Sequence, residues 1–128
     1  MLIIVDTESD IPLYRQLSTQ IMEAIVRGQL SPGDTLPSVR AFAGDLGVNM
    51  HTVNKSYHEL EEKGIIEIVP KKGAVIIADI KSQVSSDHID NIGKQFRPLI
   101  VEALVNGMNK EEIYDVITNV ISKIYEED

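Results

Sequence analysis

Apolar positions in the first third of the chain fall three to four residues apart. Leu13, Leu17, Ile21 and Ile25, with Ala24 beside them, form one stripe that predicts an amphipathic helix over residues 12–27. Ser9 and Asp10 offer N-caps, Pro12 suits the first turn because its missing N–H costs nothing there, and Gly28 supplies a left-handed stop. Ahead of this helix the run Leu2-Ile3-Ile4-Val5 predicts a short strand. The stretch SPGDTLPS follows, with Pro32-Gly33-Asp34 as turn chemistry and Pro37-Ser38 opening a second helix over 38–46. Val39, Phe42, Ala43 and Leu46 share its apolar face, Arg40 lies off that face, and Gly47 ends it. Asn49 caps a third helix, in which Val53, Tyr57 and Leu60 stand at i, i+4 and i+7, and Gly64 closes it.

The period then changes. Residues 65–69 (IIEIV) and 74–78 (AVIIA) are β-branched runs that bracket Pro70-Lys71-Lys72-Gly73, which predicts a hairpin with a basic tip. Three helices with a tight turn between the second and third, followed by a hairpin, is the order of a winged helix-turn-helix, a mainly α fold with a small β-hairpin. Residues 82–87 are polar and read as a junction, so the chain divides into a unit over 1–80 and a tail over 81–128. In the tail, Ile92, Phe96, Leu99, Ile100, Ala103 and Leu104 fall at helical spacing around Pro98, which is expected to kink that helix or delay its start. Gly107 breaks it. Asn109 with Glu112 then forms a capping-box start for a last helix carrying Ile113, Ile117, Val120 and Ile124.

Composition narrows the class. A chain of 128 residues, 43% hydrophobic and 25% charged, is long enough for one small domain with an appendage and too short for a large catalytic domain. It has no cysteine, which excludes disulfides and thiolate metal sites and fits a cytoplasmic protein. The opening apolar run is short and lacks a basic flank, and no later run approaches the roughly 20 residues of a membrane span. No constellation of residues supports an enzyme, and no pattern calls for a cofactor or specifies a small-molecule effector.

The candidate chemistry is recognition of an anion. The second helix of a helix-turn-helix enters the major groove with its first turns against base edges. LGVNMHTVNKSY (46–57) presents Asn49, His51, Thr52, Asn54 and Lys55 there. Asn pairs bidentately with adenine, Lys donates to guanine, and Thr contacts phosphate or a thymine methyl. Ser38 and Arg40 at the start of the preceding helix make a phosphate clamp. Lys71 and Lys72 at the hairpin tip can reach the flanking backbone or minor groove, and Gly73 lets the tip turn tightly. Each residue also has a plain reading. Asn49 caps a helix in any protein, Arg40 and Lys55 are ordinary surface charges, paired lysines are common at hairpin tips, Met50 is a surface or packing residue, and Glu59, Glu61 and Glu62 decorate the outer end of the third helix. His51 and His58 lie seven apart without a thiolate or an i, i+4 histidine, so no metal site is assigned.

The run from PLYRQL (12–17) through GQLSPGDTLPSVRAFAGDLGVNMHTVNKSYHELEEKGII to KKGAVI (71–76) resembles, without gaps, the DNA-binding domain of the GntR family of bacterial transcription regulators. The resemblance implies double-stranded DNA as partner and operator contacts for Ser38, Arg40, Asn49, His51, Thr52, Asn54, Lys55 and Lys72. The chain departs from the family pattern where Gly-Lys-Gly is frequent in the wing and Lys71-Lys72-Gly73 stands here, and at Met50, where proline is frequent. The short tail is similar to that of the YtrA subfamily, whose members are homodimers often encoded beside ABC transporters.

The tail leads to the same expectation on physical grounds. Phe96, Leu99, Ile100, Leu104, Ile113, Ile117, Val120, Ile121 and Ile124 give two helices more apolar surface than they can hide alone, and an identical tail across a two-fold axis is the simplest cover. The expected molecule is a homodimeric regulator, a repressor reading a palindromic operator. The rival readings are a winged-helix module for protein contacts and a small ligand- or metal-sensing switch. The formal net charge of −8 does not oppose DNA binding. Residues 1–80 hold 7 basic against 11 acidic side chains and 81–128 hold 5 against 9, but screening acts over about 8 Å while a domain of this size has a radius near 12 Å, so a local basic face survives.

Overall fold

The computed structural model describes residues 2–126. The chain divides into two compact units, Met1–Ile80 and Lys81–Asp128. The first is a winged helix-turn-helix built from α1 (Leu13–Val26), β1 (Thr35–Leu36), α2 (Val39–Leu46), α3 (Met50–Glu62), β2 (Ile66–Val69) and β3 (Gly73–Ile76); the second holds α4 (Ser86–Val105) and α5 (Lys110–Glu126).

The apolar stripe of α1 becomes the centre of the first unit, with Leu17, Ile21, Ala24 and Ile25 buried against Phe42 and Ala43 of α2 and Val53, Tyr57 and Leu60 of α3. Ile66, Ala74 and Ile76 close this core from the sheet side. The α1–α3 contact is close because small residues face each other there: Ser18 and Ser56 are fully buried, their hydroxyl oxygens 2.8 Å apart, and Ser18 Oγ donates to the Tyr14 carbonyl oxygen at 3.0 Å. Gly47, at φ +70, ends α2 in the left-handed region, and the Val48 N–H reaches back to the Ala43 carbonyl.

Three expectations are corrected. The strand expected at 2–5 does not form. Its backbone finds its partners in glutamine side chains of α1: the Gln20 amide exchanges two hydrogen bonds with the main chain of Ile4, and the Gln16 amide does the same with Asp6 while also donating to the Ile11 carbonyl. A primary amide offers the same donor–acceptor pair as a peptide unit, so it satisfies an extended segment without a sheet edge. The α1 start is likewise uncapped by side chains, since Pro12 occupies the N-cap position and the Ser9 hydroxyl accepts from Ile11 N–H instead. Finally, the segment read as turn chemistry contains a strand. Thr35 and Leu36 pair antiparallel with Val75 and Ala74, so the hairpin becomes a three-stranded sheet in the order β1-β3-β2.

In the second unit, α4 begins at Ser86 under a Ser85 cap, inside the stretch read as a junction, and continues through Pro98 to Val105. Pro98 therefore sits inside the helix and neither delays its start nor ends it. The capping box at the start of α5 forms in both directions: Glu112 N–H donates to Asn109 Oδ1 at 2.8 Å and Asn109 N–H to Glu112 Oε1 at 3.0 Å. Neither tail helix contains a buried residue. Among the described residues, no helix is long and apolar enough to cross a membrane.

Candidate nucleic-acid interface

One face of α3 is committed to the core through Val53, Ser56, Tyr57 and Leu60. At about 100° per residue, the opposite face carries His51, Asn54, Lys55 and His58, all exposed. The helix is held from three sides. On the α2 side, the buried Tyr57 donates its hydroxyl to the Pro37 carbonyl at 2.7 Å, which ties α3 to the residue just before the α2 cap. Burial pushes the Tyr57 phenol well above its ordinary value, so it stays a protonated donor at any physiological pH. On the sheet side, Glu61 Oε2 accepts from Ile68 N–H at 2.9 Å and so fixes the wing to α3. On the α1 side, Glu59 pairs with Arg15 at 3.1 Å. Glu59 and Glu61, read from sequence as decoration, are therefore fastenings.

A hollow of about 440 Å³ opens between the start of α2, the first two turns of α3 and the wing. Ser38, Arg40, Met50, Asn54 and Lys71 line it, and Gly73 is part of its wall. Among the described residues, Arg40, Lys71 and Lys72 take part in no ion pair, and all three are exposed. The structure thus brings Ser38, Arg40, Asn54 and Lys71 together. Asn49, His51, Thr52, Lys55 and Lys72 do not line the hollow.

Two side chains of this group are committed to capping. Ser38 Oγ accepts from Ala41 N–H at 3.2 Å, and Asn49 Oδ1 accepts from His51 N–H at 2.8 Å. Bidentate pairing with adenine needs both amide atoms, and the Asn49 oxygen is already engaged by the His51 N–H, whereas the exposed Asn54 lines the hollow. Accepting from Ala41 N–H leaves the Ser38 hydroxyl hydrogen free to donate.

Gly73 is placed differently from its sequence reading. The residue that turns the tip is Lys71, at φ +67, with Lys72 N–H donating to the Val69 carbonyl at 3.0 Å. Gly73 is the buried first residue of β3, at φ +123, and a side chain there would collide with the Leu36 carbonyl oxygen and crowd the Pro37 carbonyl. It is a packing glycine under β1. Met50, whose sequence reading is a surface or packing residue, is 44% exposed and lines the hollow one turn from Asn54, a placement legible from the i, i+4 spacing of the two residues. Among the described residues no group of three or more His, Cys, Asp or Glu side chains is placed to hold a metal ion.

The tail residues Phe96, Leu99, Leu104, Val120 and Ile121 are exposed, from 45% to 62%, while Ile100, Ile113, Ile117 and Ile124 are half-buried. Between α4 and α5, a groove of about 390 Å³ is lined by Phe96, Leu99, Ile100, Ile113 and Ile117, among others.

Comparison with known proteins gives a consistent result. Residues 13–76 match the family described as bacterial regulatory proteins, gntR family. The chain is 33% identical over 94% of its length to the HTH-type transcriptional repressor YtrA of Bacillus subtilis, covering 92% of that protein. A structure of a transcriptional antiterminator from Listeria monocytogenes superposes with a TM-score of 0.88 at 30% identity, covering all of this chain and 96% of that one. YtrA from Sulfolobus acidocaldarius, a GntR-family transcription factor, gives a TM-score of 0.60 at 42% identity over 78% of this chain and 99% of its own. The family is one of DNA-binding regulators and not of enzymes. With the match extending from the first turn of α1 to the end of β3, and the similarity to YtrA continuing through the tail, the chain belongs to the GntR family of transcription regulators and is YtrA-like within it.

Proposed function

We propose that the protein is a cytoplasmic repressor that binds a palindromic operator as a homodimer and controls an adjacent transporter operon. The observation that carries the DNA reading is the division of α3, whose inner face is core and whose outer face carries polar readers beside a hollow flanked by Arg40 and Lys71. In this reading Asn54 and His51 face base edges, Ser38, Arg40, Lys71 and Lys72 meet phosphates, and Asn49 and Gly73 shape the surface. The 1–80 unit is the DNA-binding domain and the 81–128 unit the dimerisation tail. The outward face of α3 favours DNA over a protein partner, since Met50 is its one large apolar side chain and His51, Asn54, Lys55 and His58 surround it. A two-fold dimer would seat two copies of α3 about 34 Å apart, or a multiple of that, on half-sites of opposite orientation.

Selection of duplexes from a random pool by the full-length protein tests this. The expected product is an inverted repeat, bound in preference to RNA of the same sequence. Asn54→Ala should cost about 1–3 kcal/mol per half-site and relax preference at one base position, whereas Arg40→Ala should weaken all duplexes alike. Recovery of unrelated sequences without a repeat would overturn the proposal.

Local charge sets a second expectation. Four cations per protomer near α3 and the wing, Arg40, Lys55, Lys71 and Lys72, limit a dimer to about eight neutralised phosphates, so log K against log salt should be no steeper than about −7. A slope requiring ten or more would show that this count of contacts is wrong.

A further inference from the structure

The α1–α3 seam carries a cluster whose aromatic member, Tyr14, has no role so far. The Lys55 ammonium lies 4.2 Å from the centroid of the Tyr14 ring, and the Arg15 guanidinium lies 5.5 Å from the same ring. Arg15 Nη2 also donates to the Tyr14 hydroxyl at 3.2 Å and pairs with Glu59 at 3.1 Å. We propose that Tyr14 is a positioning residue for DNA binding: its ring holds Lys55 on the α1 flank of α3, where the ammonium neutralises a backbone phosphate instead of reading a base.

Geometry and charge both point this way. A helix with its side chains is about 10–12 Å across and the major groove about 12 Å wide, so a seated α3 meets both walls. Arg40, Ser38 and Lys71 serve the wall on the hollow side. Lys55 lines no part of the hollow, and its contact with Tyr14 draws it toward α1, so its charge belongs to the other wall. Within the cluster Glu59 neutralises Arg15, which leaves the charge of Lys55 uncompensated. The ring covers one side of the ammonium and leaves its remaining donors for a phosphate. A lysine stem has several rotatable bonds to immobilise on docking, and a ring that already holds its head takes that ordering in the free protein. The seam itself is rigid where it matters, because Ser18 and Ser56 meet one turn of α1 beyond Tyr14 and one residue beyond Lys55.

The inference rests on the DNA-binding reading above. Its probe is the duplex that the wild-type protein selects from a random pool, titrated with salt. If the wild type selects nothing, that reading fails first and takes this one with it. Given a selected duplex, Lys55→Met should lower the number of phosphates neutralised by about one per protomer without changing which base is preferred at any position. Tyr14→Leu should weaken binding on the order of threefold per half-site, roughly tenfold for a dimer, while Tyr14→Phe, which keeps the ring, should stay near wild type. In a Lys55→Met background, Tyr14→Leu should have no further effect. An unchanged salt slope in Lys55→Met, a changed base preference there, or an equal loss from Tyr14→Leu with and without Lys55 would each overturn the proposal. Thermal melting of every variant separates these results from loss of fold, and Lys55→Met, an exposed change, keeps the test decisive if Tyr14→Leu does not fold.

Discussion

Leu104→Glu, combined with Leu99→Glu, should convert the proposed homodimer to a monomer and lower its affinity for a two-half-site duplex by at least a hundredfold. Both residues lie in the open on the single chain, at 52% and 62% exposure, so neither change opens a cavity or buries a charge within one copy. A copy seated against them would have to bury two carboxylates per protomer in an apolar contact, which costs far more than the 1.5–3 kcal/mol that each leucine contributes when covered. Losing the dimer removes the effective concentration, in the millimolar range, that makes the second half-site contact intramolecular, and linked sites commonly gain a hundredfold or more this way. Sedimentation equilibrium gives the mass and a single half-site duplex gives the control, for which affinity should change little. A double variant that still sediments as a dimer would place the two-fold contact elsewhere.

Gly73→Ala should destabilise the first unit by about 3–5 kcal/mol, read as a lowered midpoint in urea. Two penalties combine: an L-residue at φ +123 is strained, and the new methyl group has no room beneath the Leu36 and Pro37 carbonyls. Against a total stability of about 5–15 kcal/mol this is a large fraction. Lys71→Gly makes the contrast. That position, at φ +67, is left-handed and exposed, so glycine should leave stability unchanged or raise it by up to about 1 kcal/mol while removing one cation from the wing. Equal stability of Gly73→Ala and wild type would mean that β1 does not press on β3 as described.

Most of the helical architecture was legible because the signals were redundant. In α2 and α3 an apolar face, a capping side chain and a terminal glycine agree, and Ser38, Gly47 and Asn49 take the positions that their chemistry assigns. The capping box of α5 is a second instance. The features without a local signal are long-range. A two-residue strand such as Thr35–Leu36 has no period, and nothing local says that it will lie against β3. Without β1 nothing in the sequence signals the burial of Gly73 either, and its place beside two lysines at a hairpin tip reads as a turn. Conversely, Leu2-Ile3-Ile4-Val5 has β propensity but no strand to pair with, and the glutamines that replace one are ordinary polar positions in the α1 sequence. At the site, residue types were readable but their flanks were not. Asn54 and Lys55 are neighbours in sequence, yet the hollow takes one and Tyr14 the other.

The fastening of α3 has an evolutionary corollary. The hydroxyl of Tyr57, the carboxylate of Glu61 and the buried Ser56 anchor the helix entirely from its inner side and far end, so Met50, His51, Asn54 and His58 contribute almost nothing to the hydrophobic interior. Those four positions can drift, or be exchanged by grafting, without reopening the folding problem. On the proposed reading, in which Asn54 and His51 face the bases, a lineage built on this scaffold would acquire a new DNA address through a handful of codons while its framework stays untouched.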